Sequence, residues 1–139
     1  MLVVVIASAM AIGQAQTPAK PKKLTLEMYF EMESVNSPQL SPDGKQIIYA
    51  RGWTDKLNDR RRTSLWIMNA DGSMPKQLTD LNAREGMPRF SPDGKRIVFH
   101  SNRTGNEQDF DLFTMKLDGS DVVNLTEHFA FDQMPHWGK

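Results

Sequence analysis

The chain has 139 residues, with 17 Lys+Arg against 17 Asp+Glu, no cysteine and 39% hydrophobic residues. That length admits one ordinary domain, the zero net charge excludes a dedicated nucleic-acid or polyanion binder, and the missing cysteine excludes disulfides, thiolate metal sites and a cysteine nucleophile. With 24% charged residues the composition is that of a soluble globular protein, not of a disordered chain or a multi-span membrane protein.

The charge is unevenly placed, since none precedes Lys20. Leu2–Ile12 is an apolar run of 11 residues, short of the ~20 needed to cross a bilayer as a helix. Small and polar residues (Gly13, Gln14, Ala15) come after it, so residues 1–15 read as a signal peptide and the mature chain as exported, periplasmic or extracellular. Met1 leads straight into Leu2 without a basic stretch, which leaves a start further upstream or a buried element as the alternatives. After cleavage no segment for stable membrane insertion is expected. Residues 16–35 form an N-terminal arm and lead-in. Within it Leu24, Leu26, Met28, Phe30 and Met32 alternate with mostly polar residues as in a strand, while Leu, Met and Glu favour a helix.

An internal repeat organises the rest of the chain. Ser41-Pro42-Asp43-Gly44-Lys45 recurs as Ser91-Pro92-Asp93-Gly94-Lys95, 50 residues later. Leu65 to Ser73 recurs as Leu112 to Ser120, Gln77-Leu78-Thr79 as Asn124-Leu125-Thr126, and Met87-Pro88-Arg89-Phe90 as Met134-Pro135-His136-Trp137, each at a spacing of 47. Pro42 and Pro92 suit a turn position at φ near −65°, Asp43 and Asp93 the next, and Gly44 and Gly94 the left-handed position that closes a bulged hairpin. Asp71-Gly72 and Asp118-Gly119 supply a second turn. β-Branched and aromatic runs between the turns predict strands at 36–40, 46–51, 64–70 and 75–79, then 87–90, 96–101, 110–117 and 121–125. Four antiparallel strands repeating at this period predict an all-β chain of propeller blades, about 36–80 and 87–126.

The polar clusters have simple readings. The turn residues Ser41, Asp43, Ser91, Asp93, Asp71 and Asp118 read as structural, not catalytic. Glu107, Asp109, Asp111, Asp118 and Asp121 against Lys116 make 105–121 acidic, without the regular spacing of a calcium loop, and read as a solvated loop. Lys56, Arg60, Arg61 and Arg62 read as a basic loop over Trp53–Thr63, either solvated or facing substrate carboxylates or a second domain. His100, His128 and His136 lack zinc spacing. Asn102-Arg103-Thr104 and Asn124-Leu125-Thr126 match the glycosylation pattern. Trp66, Phe90, Phe113 and Trp137 read as core. No metal, cofactor or catalytic residue is expected. None of the glycines brackets a serine as Gly-x-Ser-x-Gly, so a nucleophile elbow is absent from the sequence.

The units Pro88 to Phe99, Asp111 to Gly119 and Asn124 to Thr126, with Ser37 to Lys45 and Leu65 to Thr79, resemble the WD40-like propeller repeat of TolB and of prolyl-oligopeptidase-family serine peptidases. The likeness covers about residues 24–137. In TolB a separate α/β domain precedes the propeller, and too few residues stand here ahead of the first repeat to hold it. The run from Leu24 to Pro38 instead resembles the N-terminal lead-in of acylaminoacyl-peptidase-like enzymes, which favours the short helix there. The resemblance implies a C-terminal α/β-hydrolase domain as the partner, covered by the propeller, with peptides as substrate or ligand. The alternatives are a TolB-like periplasmic propeller that binds protein without catalysis, or a propeller joined to another hydrolase such as an amidohydrolase. Met134 to Trp137 should lead into Ser-Pro-Asp-Gly-Lys but is succeeded by Gly138-Lys139. Two blades and the start of a third do not close a ring of ~4–8, so the expectation over 36–139 is an incomplete propeller at the N-terminal end of a longer protein.

Overall fold

The two Ser-Pro-Asp-Gly-Lys runs fold into the same turn, seen in a computed structural model that describes residues 23, 25–80, 82–104, 109–126, 132 and 134–138. The leader read at 1–15 lies outside the described residues. In each turn a buried serine closes the loop. Ser41 Oγ donates to Asp43 Oδ1 at 2.6 Å and accepts from the backbone N–H groups of Lys45 and Gln46 at 3.2 and 2.9 Å. Ser91 repeats the set with Asp93, Lys95 and Arg96 at 2.6, 3.1 and 2.9 Å. Gly44 and Gly94 stand at φ 71° and 68°, where a side chain would be strained. The serine hydroxyls, with the Lys45 and Lys95 N–H groups, hold the Asp43 and Asp93 carboxyls below the usual carboxylate range.

A short helix α1 (Leu26–Glu31) comes first, capped by Thr25 Oγ1, which accepts from the Met28 N–H at 3.2 Å. Among the described residues eight strands succeed it: β1 (Ser34–Leu40), β2 (Gln46–Asp55), β3 (Arg60–Asn69), β4 (Lys76–Gln77), β5 (Glu85–Phe90), β6 (Arg96–Ser101), β7 (Asp111–Lys116) and β8 (Val123–Asn124). They form two four-stranded antiparallel sheets, each a meander in chain order. This is the expected all-β architecture of a partial propeller. The last strand of each sheet is shorter than expected because a threonine hydroxyl takes over from the backbone. Thr79 Oγ1 accepts from the Leu65 N–H and Thr126 Oγ1 from the Leu112 N–H, both at 2.9 Å.

The stretch Trp53–Thr63, expected as a loop, is mostly strand. Asp55 pairs with Arg60, Thr54 with Arg61 and Trp53 with Arg62, leaving only residues 56–59 as a turn. Asp55 closes that turn by accepting from the Leu57 N–H at 3.2 Å and Asn58 Nδ2 at 2.7 Å, and Asp59 takes a left-handed φ of 47°. Opposite charges facing each other across the hairpin favour this extension.

The core lies between the sheets. Ile48, Ala50 and Leu65 of the first meet Ile97, Phe99, Phe113 and Met115 of the second, and the Phe99 and Phe113 rings stack at 5.8 Å. Each large side chain so buried contributes about 1.5–3 kcal/mol. Phe113 is therefore core, but Trp66, its counterpart at the same register, is not. Strand side chains alternate between faces. The first sheet contributes the face of Ala50 and Leu65, the second the opposite face, that of Phe99 and Phe113. Trp66 lies on the other side of its sheet, half-buried, with the Arg51 guanidinium 4.8 Å from its ring. Phe90 and Trp137 are also only half-buried.

Contacts between the sheets are polar at their margins. Thr63 bridges Arg84, and its hydroxyl accepts from the Glu85 N–H at 2.7 Å. Lys76 Nζ donates to the Asp118 carbonyl at 3.0 Å. At the Asp118 turn, Gly119 (φ 89°) lies so close to Leu78 that a Cβ on it would sit 2.6 Å from the Leu78 carbonyl oxygen.

Candidate functional site

One irregularity is shared by the first strand of each sheet, and its left-handed residue returns a third time near the end of the chain. β1 slips register between Asn36 and Gln39, and β5 between Gly86 and Arg89. At each slip a residue before a proline takes a left-handed φ: Ser37 at 50° and Met87 at 48°, with Met134 at 60° in the third copy. Non-glycine residues seldom adopt this conformation, and bulges of this kind re-aim the side chains just beyond them. The residues so re-aimed are Gln39, Arg89 and His136, and after them Leu40, Phe90 and Trp137.

These six line one groove of about 270 Å³, whose walls are completed by Pro42, Ser91 and Pro92 from the two turns. Trp137 Nε1 donates to the Arg89 carbonyl at 3.3 Å and ties the third copy to the second. Gln39 Nε2 donates to the Pro38 carbonyl at 3.0 Å and Arg89 Nη1 to the Pro88 carbonyl at 3.2 Å, so the two equivalent side chains fold back alike. Among the described residues no Asp or Glu lines it. A second hollow, also about 270 Å³, lies on the far face of the first sheet against Trp66, Trp53 and the Arg51–Glu33 ion pair at 2.6 Å.

The residues singled out from the sequence fall in other places. The Asp-Gly turns at 71–72 and 118–119 are exposed apart from the half-buried Gly119. The basic cluster is engaged locally. Arg62 Nη1 donates to the Asn82 carbonyl at 2.8 Å, Arg61 Nη2 to Ser34 Oγ at 2.7 Å, and Lys56 stands 3.9 Å from Glu31. Glu107 of the acidic run, like His128, lies outside the described residues, and the described part of the run is not one solvated loop. Asp111 is buried, accepting from Thr104 Oγ1 at 2.8 Å and Asn124 Nδ2 at 3.0 Å, and Asp121 pairs with Arg96 at 2.7 Å. Both glycosylation matches therefore hold asparagines at structural work: Asn124 donates to Asp111, and Asn102 Oδ1 accepts from the Arg84 N–H at 2.7 Å. Among the described residues no three His, Asp or Glu are placed to share a metal ion.

The sequence reading passes over Glu85 and weighs His100 only as a metal ligand, and both are buried. The Glu85 carboxylate is fully covered, paired with Arg103, and 3.3 Å from the Ser101 hydroxyl that donates to it. Burial raises its pKa, opposed by the Thr79 hydroxyl and by Arg103. Arg103 in turn lies over the Phe99 and Phe113 rings at 5.3 and 5.0 Å, capping the core. His100 is buried against Phe110, ring centroids 5.0 Å apart, and burial together with the Arg84 charge lowers its pKa to about 4. Sequence offered one signal for the groove: Gln39, Arg89 and His136 share a repeat position, always after a proline.

Known proteins place this fold. The sequence profile of the TolB beta propeller domain matches residues 27–139. Dipeptidyl-peptidase 5 of Porphyromonas gingivalis is 40% identical over 85 residues, which cover 61% of this chain and 12% of that protein. Acylaminoacyl peptidase of Pyrococcus horikoshii superposes with a TM-score of 0.56 at 19% identity, over 72% of this chain and 15% of the other. TolB of Acinetobacter baumannii superposes with a TM-score of 0.53 at 23% identity, over 72% and 23%. The chain thus spans a small part of the length of the proteins it matches, and at these identities the two superpositions speak to fold alone.

Proposed function

This chain belongs to the TolB beta propeller domain family, and from that premise we propose that it forms the first blades of a serine peptidase of the prolyl-oligopeptidase class. In this reading the blades are catalytically inert. They scaffold and gate access of peptides to an α/β-hydrolase domain elsewhere in the same polypeptide, and the protein is exported. The observation that carries the reading is the 40% identity to a dipeptidyl-peptidase, because it is a sequence likeness within the blades themselves. The absence of Gly-x-Ser-x-Gly from residues 1–139 fits an inert role for the blades, with the nucleophile supplied from beyond them.

Face-to-face sheets also fit a scaffold. The core is made between blades, so each blade is held by its neighbour and the inner strands β1 and β5 line a shared edge. The test is the reading frame downstream of residue 139. Further blades and then Gly-x-Ser-x-Gly, with Asp and His after it in that order, support the peptidase. A stop codon after a closed ring overturns it in favour of a propeller that only binds protein.

A further inference from the structure

We propose that the groove at the bulged ends of β1 and β5 binds the carboxylate of a peptide, with Arg89 as the anchor. The inference goes beyond the peptidase reading and does not depend on it, since it concerns binding by these blades alone.

Availability of charge carries the inference first. Four other guanidinium groups already meet acceptors: Arg51 meets Glu33, Arg96 meets Asp121, Arg103 meets Glu85, and Arg62 meets the Asn82 carbonyl. Arg89 uses one N–H on the Pro88 carbonyl and makes no ion pair with any described residue. A guanidinium carries five N–H donors in a planar fork that matches a carboxylate, so a complementary pair remains. The acids of the two bordering turns, Asp43 and Asp93, are held there by Ser41 and Ser91 and do not line the groove, and Glu85, four residues before Arg89, is paired with Arg103.

Shape comes next. Arg89 is half-buried, and the groove it lines is also lined by Trp137, Phe90, Pro42 and Pro92. One guanidinium among apolar rings, with the polar Gln39, Ser91 and His136 beside it, suits a peptide ending in, or carrying, one carboxylate. The groove is also preformed. The left-handed Met87 and Met134 and the Trp137 indole bond fix the backbone on both sides of Arg89 before any ligand arrives, and preorganisation of this kind reduces the ordering cost of binding.

The probes are N-acetyl-Ala-Ala with a free C-terminal carboxylate, its C-terminal amide, and N-acetyl-Asp-Ala amide, titrated into the chain at low salt. Binding is read from the indole N–H resonance of Trp137, with those of Trp53 and Trp66 as internal controls. The expected result is that a carboxylate-bearing peptide shifts Trp137 alone and binds at least about tenfold more tightly than the plain amide. Preference for the free acid assigns the groove to a peptide terminus, and preference for the aspartyl amide assigns it to an acidic side chain. Arg89→Gln should abolish the preference, and Arg89→Lys, which keeps the charge without the fork, should retain part of it. Equal affinity for acid and amide, shifts at Trp53 or Trp66 instead, or an unchanged preference in a folded Arg89→Gln chain would each overturn the proposal.

Discussion

Replacing His100 with leucine should remove a stability loss that the wild-type chain suffers as pH falls from 6.5 toward 4. The imidazole is buried against the Phe110 ring and the Arg84 guanidinium faces it, which together lower its pKa to about 4 from an ordinary value of 6.5. Gly86 packs on it so closely that a Cβ there would lie 2.5 Å from Nε2. Well above pH 6.5 the ring is neutral both folded and unfolded and costs nothing in charge. As pH falls below 6.5 the unfolded chain takes up a proton that the folded chain refuses until about pH 4, so stability falls across that window. The gap is worth roughly 3 kcal/mol when fully expressed. Glu85 works in the opposite sense. Its raised pKa lets the folded chain bind a proton first, so its contribution grows as pH falls, and it is common to both chains. Urea unfolding monitored by tryptophan fluorescence, at about pH 7 and about pH 4.5, should show wild type losing roughly 2–3 kcal/mol more than His100→Leu. A wild-type loss no greater than that of the variant would refute the argument.

Other substitutions report on different contacts. Ser91→Ala removes a buried hydroxyl that bonds Asp93 and two backbone N–H groups and should cost about 2–4 kcal/mol by chemical unfolding, whereas Ser91→Thr should keep part of this if the methyl fits. Gly72 and Gly119 have matching φ of 84° and 89°, but only Gly119 has a backbone atom within reach of an added Cβ. Gly72→Ala should therefore cost about 1–2 kcal/mol and Gly119→Ala clearly more, and equal losses would mean that the inter-sheet approach at Leu78 does not hold in solution. Arg103→Ala leaves Glu85 buried without its partner and uncovers the Phe99 and Phe113 rings, a loss of about 3–5 kcal/mol. That loss should be largest at high pH and shrink as pH falls through the raised pKa of Glu85. Glu85→Gln should cost less than Arg103→Ala, as judged by thermal melts of both variants.

Local chemistry was legible wherever one residue type suits one backbone position. Ser-Pro-Asp-Gly announces its turn through proline, aspartate and glycine geometry, and the flanking β-branched runs announce the strands. The extension of the hairpin to Asp55 and Arg60 was hidden because Lys, Asp and Arg have weak strand propensity, and cross-strand pairing decides there. Trp66 and Phe113 could not be told apart by sequence, since both sit at one repeat position. Which face meets the neighbouring sheet is a property of the stack, not of either strand. The Glu85–Arg103 pair joins the start of β5 to the segment just past β6, and no local signal marks a carboxylate that will lose all its water. The groove was half legible. Proline before Gln39, Arg89 and His136 is visible in the sequence, but the left-handed residues that precede those prolines include two methionines, which nothing in composition singles out.

Hydrolysis by the complete polypeptide that carries these blades tests the functional reading most directly. The product of the full reading frame, assayed on dipeptidyl nitroanilides, should cleave them, and a fluorophosphonate should stop the reaction by labelling a serine outside residues 1–139. A folded, full-length product that neither cleaves these substrates nor takes the label would contradict a peptidase and leave a propeller that only binds.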